Sequence, residues 1–192
     1  KDLYTYQIPI DVPFPPLVER IVASGERNER IVIRKGRNDG IRPGAPVVFG
    51  NTVVGRVTAV HLTTSEIDLV TSPGFRCTAY LEGDDQNHIV LVNGVASNSL
   101  GTAKARVSVI PRDYSMPAGQ PARVFTTGMG GVFPSRLILG YLDGGTYATQ
   151  VGNFKESLLV PSRDLYNLQE VSVLVPLHQN PGEALMQGDQ FQ

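Results

Sequence analysis

Twenty glycines and fourteen prolines are spread through this chain of 192 residues, and they govern what it can fold into. Proline fixes φ and withholds a backbone donor, and glycine weakens helix interiors, so dense punctuation favours short strands joined by turns over long helices. Between the turns, side chains alternate with period two, which sends neighbours to opposite faces of a sheet. Ala103, Ala105, Val107 and Val109 alternate with Lys104, Arg106 and Ser108. The same pattern turns Ile31 and Ile33 inward against Arg30 and Arg34, and Ile67 and Leu69 inward against Glu66 and Asp68. It turns Cys77, Ala79 and Leu81 inward against Arg76 and Thr78.

Further strands are expected at 17–23, 46–49, 53–60, 88–92, 123–126, 137–142, 154–160 and 171–175. Turn signals separate them: Asn38-Asp39-Gly40, Ser72-Pro73-Gly74, Glu82-Gly83-Asp84-Asp85, Asn93-Gly94 and Asp143-Gly144-Gly145. One helical turn is expected from Ser162, capped by its own hydroxyl, with Leu165 and Leu168 toward the core. Many short strands with almost no helix predict an all-β fold, and small closed barrels suit it because closure removes free edges. Four prolines make residues 1–16 an expected extended linker. Residues 177–192, with Asn180-Pro181-Gly182 among Gln and Asp and no apolar period, are expected to be a disordered tail.

Seventeen Lys and Arg face eighteen Asp and Glu, a net charge of -1, without the basic excess of a nucleic-acid binder. Cys77 is the single cysteine, so neither an intramolecular disulfide nor a cysteine zinc site is expected. No run approaches the roughly 18 to 20 apolar residues that cross a bilayer, and no signal-peptide pattern is present. The chain begins at Lys1, and any anchor is expected upstream of it.

Catalytic signals are sparse. His61, His88 and His178 are the available bases, no serine lies in a Gly-x-Ser-x-Gly elbow, and Cys77 faces inward as a small hydrophobe. Asp84-Asp85 lacks the alternating oxygen ligands of a calcium loop. No cofactor and no metal are expected. Gly128-Met129-Gly130-Gly131 invites comparison with a phosphate loop, but it lacks the Gly-Lys-Ser/Thr ending and runs into Val132-Phe133-Pro134. It reads as a tight barrel corner in which Gly128, Gly130 and Gly131 serve the turn, as Asn38, Asp39 and Gly40 serve theirs. Arg20, Arg27, Arg30, Arg34, Lys35 and Arg37 are interleaved with Glu19, Glu26 and Glu29, the pattern of a solvated face.

Ordered blocks of residues carry a family resemblance. The stretch from Lys35-Gly36-Arg37-Asn38-Asp39-Gly40 to Gly44-Ala45-Pro46-Val47-Val48 resembles the Lys-Gly-x-Asn-Asp-Gly and Gly-x-Pro-Val-Val pattern of the rod-shape-determining MreC family. Val54-Gly55-Arg56-Val57, Leu69-Val70-Thr71-Ser72-Pro73 with Arg76, Thr127-Gly128-Met129-Gly130-Gly131-Val132-Phe133-Pro134, and Asp164-Leu165 with Leu168-Gln169-Glu170-Val171 follow in that family's order. Two departures stand out. Ser72 replaces the usual Asp, which removes an expected turn hydrogen bond, and Ser135-Arg136-Leu137-Ile138-Leu139-Gly140 replaces a Lys-Gly-Leu-Pro-Val-Gly type sequence.

The resemblance implies two small β-barrels, of the paired-barrel architecture that chymotrypsin-like enzymes also have. The count of about twelve strands fits two six-stranded barrels if the chain leaves and re-enters the first, with residues 17–62 plus 145–176 as the first and residues 63–144 as an inserted second. The resemblance also implies a non-enzymatic scaffold of the cell-elongation machinery on the periplasmic, extracytoplasmic face of the inner membrane, anchored by an N-terminal transmembrane helix missing here. The implied partners are the class B penicillin-binding transpeptidase, MreD, RodA, MreB, and further copies in a homodimer or filament. Met129 and Phe133 are the candidate partner-binding residues, with Phe133 more naturally a core plug. The rival functions are a chymotrypsin-like serine hydrolase, since that enzyme class also pairs small barrels, and a cell-wall glycan-binding module, which so few aromatics disfavour.

Overall fold

The alternating segments become strands in the computed structural model, which describes residues 7–12, 17–23, 26–95, 104–118, 120–143, 150–163, 165, 168 and 170–176. In chain order these are β1 Gln7–Val12, β2 Leu17–Ala23, β3 Glu26–Ile33, β4 Pro46–Phe49, β5 Thr52–Val60, β6 Ser65–Leu69 and β7 Arg76–Leu81. There follow β8 Val90–Val95, β9 Lys104–Pro111, β10 Arg123–Thr126, β11 Ile138–Leu142, β12 Gln150–Val151, β13 Phe154–Val160 and β14 Val171–Pro176. The helical content among the described residues is one 3-10 turn, Arg37–Asp39.

Six strands close a barrel. The antiparallel ladders run β7, β8, β9, β13, β11, β10 and back to β7. The other strands form a sheet in the order β1, β14, β4, β5, β6, β3, β2. Among the described residues the ladders close one six-stranded barrel, and no ladder joins β1 to β2 to close a second. The sheet and the barrel meet where Ile138 of β11 pairs in parallel with Thr52 of β5 and its N–H donates to the Asn51 carbonyl at 2.8 Å.

The pairings place two strands across the expected boundaries. β6 lies in the sheet between β5 and β3, because the four residues 61–64 that join it to β5 are too few to link anything but antiparallel neighbours. β13 belongs to the closed barrel, folding back from β12 through Gly152 and Asn153 onto β9 and β11. The expected linker also contains a strand: β1 pairs with β14 at a sheet edge, where Pro9 is tolerated. The expected tail, 177–192, lies outside the described residues.

Two local expectations change for identifiable reasons. Asn93-Gly94 is within β8 rather than at a turn, because Gly94 is a site of close backbone approach. A bulge in β9 against β13 gives Val109 a φ of 63°, and Ile110 rather than Val109 is the fully buried residue there. The Ser162 hydroxyl donates to Thr52 Oγ1 at 3.3 Å, and Leu165 and Leu168 are buried as expected; the helical turn expected from Ser162 falls in part on residues outside the described ones. Valine, isoleucine and leucine from both sheet and barrel form one apolar core.

Candidate interaction surface

Residues 127–137 connect β10 to β11 and hold the glycine-rich corner. Thr126, wholly buried at the end of β10, organises it. Its hydroxyl donates to the Pro134 carbonyl at 2.5 Å and accepts from the Leu137 N–H at 3.0 Å. Its backbone N–H donates to Leu137 O at 2.8 Å and its carbonyl accepts from Arg136 N–H at 2.9 Å. Thr127 fastens the start of the loop, with its hydroxyl 2.8 Å from that of Thr78 and accepting from the Met129 N–H at 3.0 Å. Gly128, Gly130 and Gly131 have φ of 77°, 85° and 68°, a conformation that glycine holds without strain, which accounts for the spacing of that motif.

The two candidate partner residues separate in this loop. Phe133 is 6% exposed and meets Phe75 edge-on, with centroids 5.8 Å apart and planes at 60°. Arg56 of β5 stands over both rings, 5.7 Å from Phe75 and 5.8 Å from Phe133, and donates to the Arg76 carbonyl at 2.6 Å. Phe133 therefore pins the corner to the sheet, while Met129 is 60% exposed at the tip. Arg56, Phe75 and Thr126 were not singled out as a group in the sequence, and the one visible hint is an arginine inside the apolar run Val53-Val54-Gly55-Arg56-Val57.

The other glycine turn is tied inward. The Asp39 carboxylate accepts from Gly36 N–H at 2.9 Å and from Lys35 Nζ at 3.0 Å, and these bonds hold its pKa below the ordinary value. Gly40 has a φ of 84°. Arg37 and Asn38 donate backbone N–H bonds to the carbonyls of His61 and Leu62, so the turn braces the β5–β6 connection. Beside it lies a recess of about 570 Å³ lined by Arg37, Gly40, Ile41, Arg42, Pro43 and Val60, which offers aliphatic groups and two cations but no metal-ligand set. Among the described residues no three His, Cys, Asp or Glu side chains gather as a metal site.

The candidate bases are engaged elsewhere. His61 Nε2 lies 3.1 Å from Glu66 Oε1, and His88 Nδ1 lies 3.1 Å from both Asp84 carboxylate oxygens. The His61 hydrogen bond, with Arg30 nearby, draws the Glu66 pKa down. Burial pushes the Cys77 thiol up to about 11, which leaves it protonated at neutral pH and inert as a nucleophile. Arg30 donates to Glu66 at 2.7 Å and lies 3.5 Å from Asp68; the exposure of Glu19, Glu26 and Glu29, the acids expected to share a solvated face with it, lies outside what is described. His178 lies outside the described residues.

Residues 22–175 match the family described as rod shape-determining protein MreC, barrel core. The chain belongs to the MreC family. It is 28% identical over 149 residues to the cell shape-determining protein MreC of Listeria monocytogenes, covering 77% of this chain and 48% of that protein. It is 30% identical over 117 residues to MreC of Cereibacter sphaeroides, covering 61% of this chain and 36% of that protein. The chain thus spans about half or less of the length of these MreC relatives.

The fold is similar to solved MreC structures from Listeria monocytogenes (TM-score 0.72, 23% identity, covering 92% of this chain and 79% of that one) and Pseudomonas aeruginosa (0.63, 16%, 82% and 97%). A chain in a complex between penicillin-binding protein PBP2 and MreC from Helicobacter pylori is similar at TM-score 0.58 and 11% identity, covering 89% of this chain and all of that one. Against the MreC pattern, Ser72 keeps a turn bond rather than losing it, since its hydroxyl accepts from Leu69 N–H at 3.0 Å. Arg136 stands where the MreC pattern has glycine, and its φ is 67°.

Proposed function

We propose that this chain is the barrel core of a non-enzymatic scaffold that organises or activates the class B penicillin-binding transpeptidase of cell elongation and so directs lateral peptidoglycan synthesis. The observation that carries this is the match to the MreC barrel core across residues 22–175. The likeness to a chain of the Helicobacter pylori PBP2–MreC complex suggests the kind of partner. Such a scaffold acts by preferring one conformation of its partner, which it then populates.

MreD, RodA and the MreB filament are the further partners of this proposal, with this barrel core at the extracytoplasmic face of the inner membrane. Among the described residues no helix is long and apolar enough to cross a membrane. Self-association into dimers or filaments fits the two sheet-edge strands β1 and β2, which each pair on one side only among the described residues and can accept a strand.

Depleting the whole protein in its own organism tests the role. The expected result is rounding of the cells with loss of new peptidoglycan label from the side wall. Unchanged shape with unchanged label would overturn it.

A further inference from the structure

The 127–137 corner carries two side chains that the fold does not use. Met129 projects 60% exposed from a tip whose neighbours Gly130 and Gly131 are also exposed. Arg136 is exposed, and among the described residues its guanidinium makes no ion pair or hydrogen bond. Its backbone is in the left-handed region, φ 67°, a conformation that glycine holds without strain and arginine does not. Residues kept in such conformations concentrate at sites where the side chain has a task.

The loop is also held in one shape before any partner arrives. The Thr126 bonds fix both its ends, the Thr127–Thr78 pair fixes its entry, and Phe133 is clasped by Phe75 and Arg56. A preorganised loop loses little conformational entropy on docking. The bare backbone at Gly130 and Gly131 lets a partner main chain come close to Met129.

The geometry points to Met129 and Arg136 as a paired contact by which the corner docks on a partner protein. Met129 enters an apolar pocket, and Arg136 meets a carboxylate on that pocket's rim. One apolar knob and one cation suit a shaped protein pocket; a bilayer surface is held by several groups of each kind. This contact rests on the proposed scaffold role and assigns it to the transpeptidase, with Phe133 as the pin behind the contact rather than part of it.

The test measures affinity of the 192-residue chain for the soluble extracytoplasmic part of its own organism's class B transpeptidase by surface plasmon resonance, with melting temperatures alongside. Arg136→Gly is expected to raise Tm by about 2–4 °C while weakening binding about tenfold. Arg136→Gln and Met129→Ser are expected to weaken binding about tenfold with Tm unchanged, and Arg136→Lys to keep most of the affinity. A purely structural residue would not gain stability and lose affinity in one substitution.

If the wild type binds and the three weakening variants bind equally well, the contact is overturned and the scaffold role stands. If the wild type does not bind, the transpeptidase role falls and the contact falls with it. Loss of binding to phosphatidylglycerol vesicles in Arg136→Gln, with transpeptidase affinity intact, would overturn the contact in favour of a lipid surface.

Discussion

The Cβ that Gly94 lacks would stand 1.8 Å from the carbonyl oxygen of Ser72. The segment leaving β6 crosses β8 at this point with backbone against backbone, and Gly94 N–H donates to Phe75 O at 3.1 Å. Any side chain must push that segment away. Gly94→Ala is expected to cost about 3 kcal/mol and to lower Tm by about 6–12 °C. A melting curve equal to that of the wild type would contradict the close approach.

Phe133 and Arg56 tie the barrel corner to the sheet. Phe133→Ala is expected to cost about 3–5 kcal/mol, as for a large ring removed from a packed site, and Phe133→Leu about 1 kcal/mol. Arg56→Met keeps the aliphatic stem and removes the cation, for an expected loss of about 1 kcal/mol. In a double-mutant cycle by urea denaturation the two sites should be coupled, since Arg56 lies 5.8 Å from the Phe133 ring centroid. Additive losses would place the arginine outside the cluster.

All six strands of the closed barrel lie between Arg76 and Val160. A fragment of residues 75–161 is therefore expected to fold alone, with a cooperative melting transition and dispersed amide resonances. The fragment 63–144 lacks β13, leaves β9 and β11 unpaired on one side, and is expected to be unfolded or aggregated. Equal folding of the two fragments would refute the role given to β13.

Asp39 makes stability depend on acid. Bonds from Gly36 N–H and Lys35 lower its pKa in the folded state, so its contribution is present above the ordinary carboxylate pKa and is lost as pH falls through the lowered value. Asp39→Asn keeps a cap acceptor and removes the charge. The Tm gap between wild type and variant is expected to exist at pH 7 and to shrink at pH values below about 4. A gap that stays constant with pH would show that the charge contributes nothing.

The strands were legible because alternation is local; their partners were not, because ladders join distant segments. Ile31 pairs with Ile67 across β3 and β6, and only the short turn at 61–64 signalled that β6 must stay beside β5. Ala103 to Val109 alternate without a break, and the bulge that turns Ile110 inward left just one trace, an apolar residue out of phase. At the corner, the glycine motif announced a turn of positive φ. Which of Met129 and Phe133 faces solvent depended on Phe75 and Arg56, far away in sequence. The strain at Arg136 was visible only as a departure from a glycine, and its meaning required the dihedral angle.

Calorimetric titration of the 192-residue chain with the soluble extracytoplasmic part of its own class B transpeptidase, at two salt concentrations, tests the scaffold role most directly. The account predicts saturable heat near one-to-one stoichiometry, weaker at the higher salt because an arginine–carboxylate contact is screened. No heat of binding at micromolar concentrations of both proteins would contradict it.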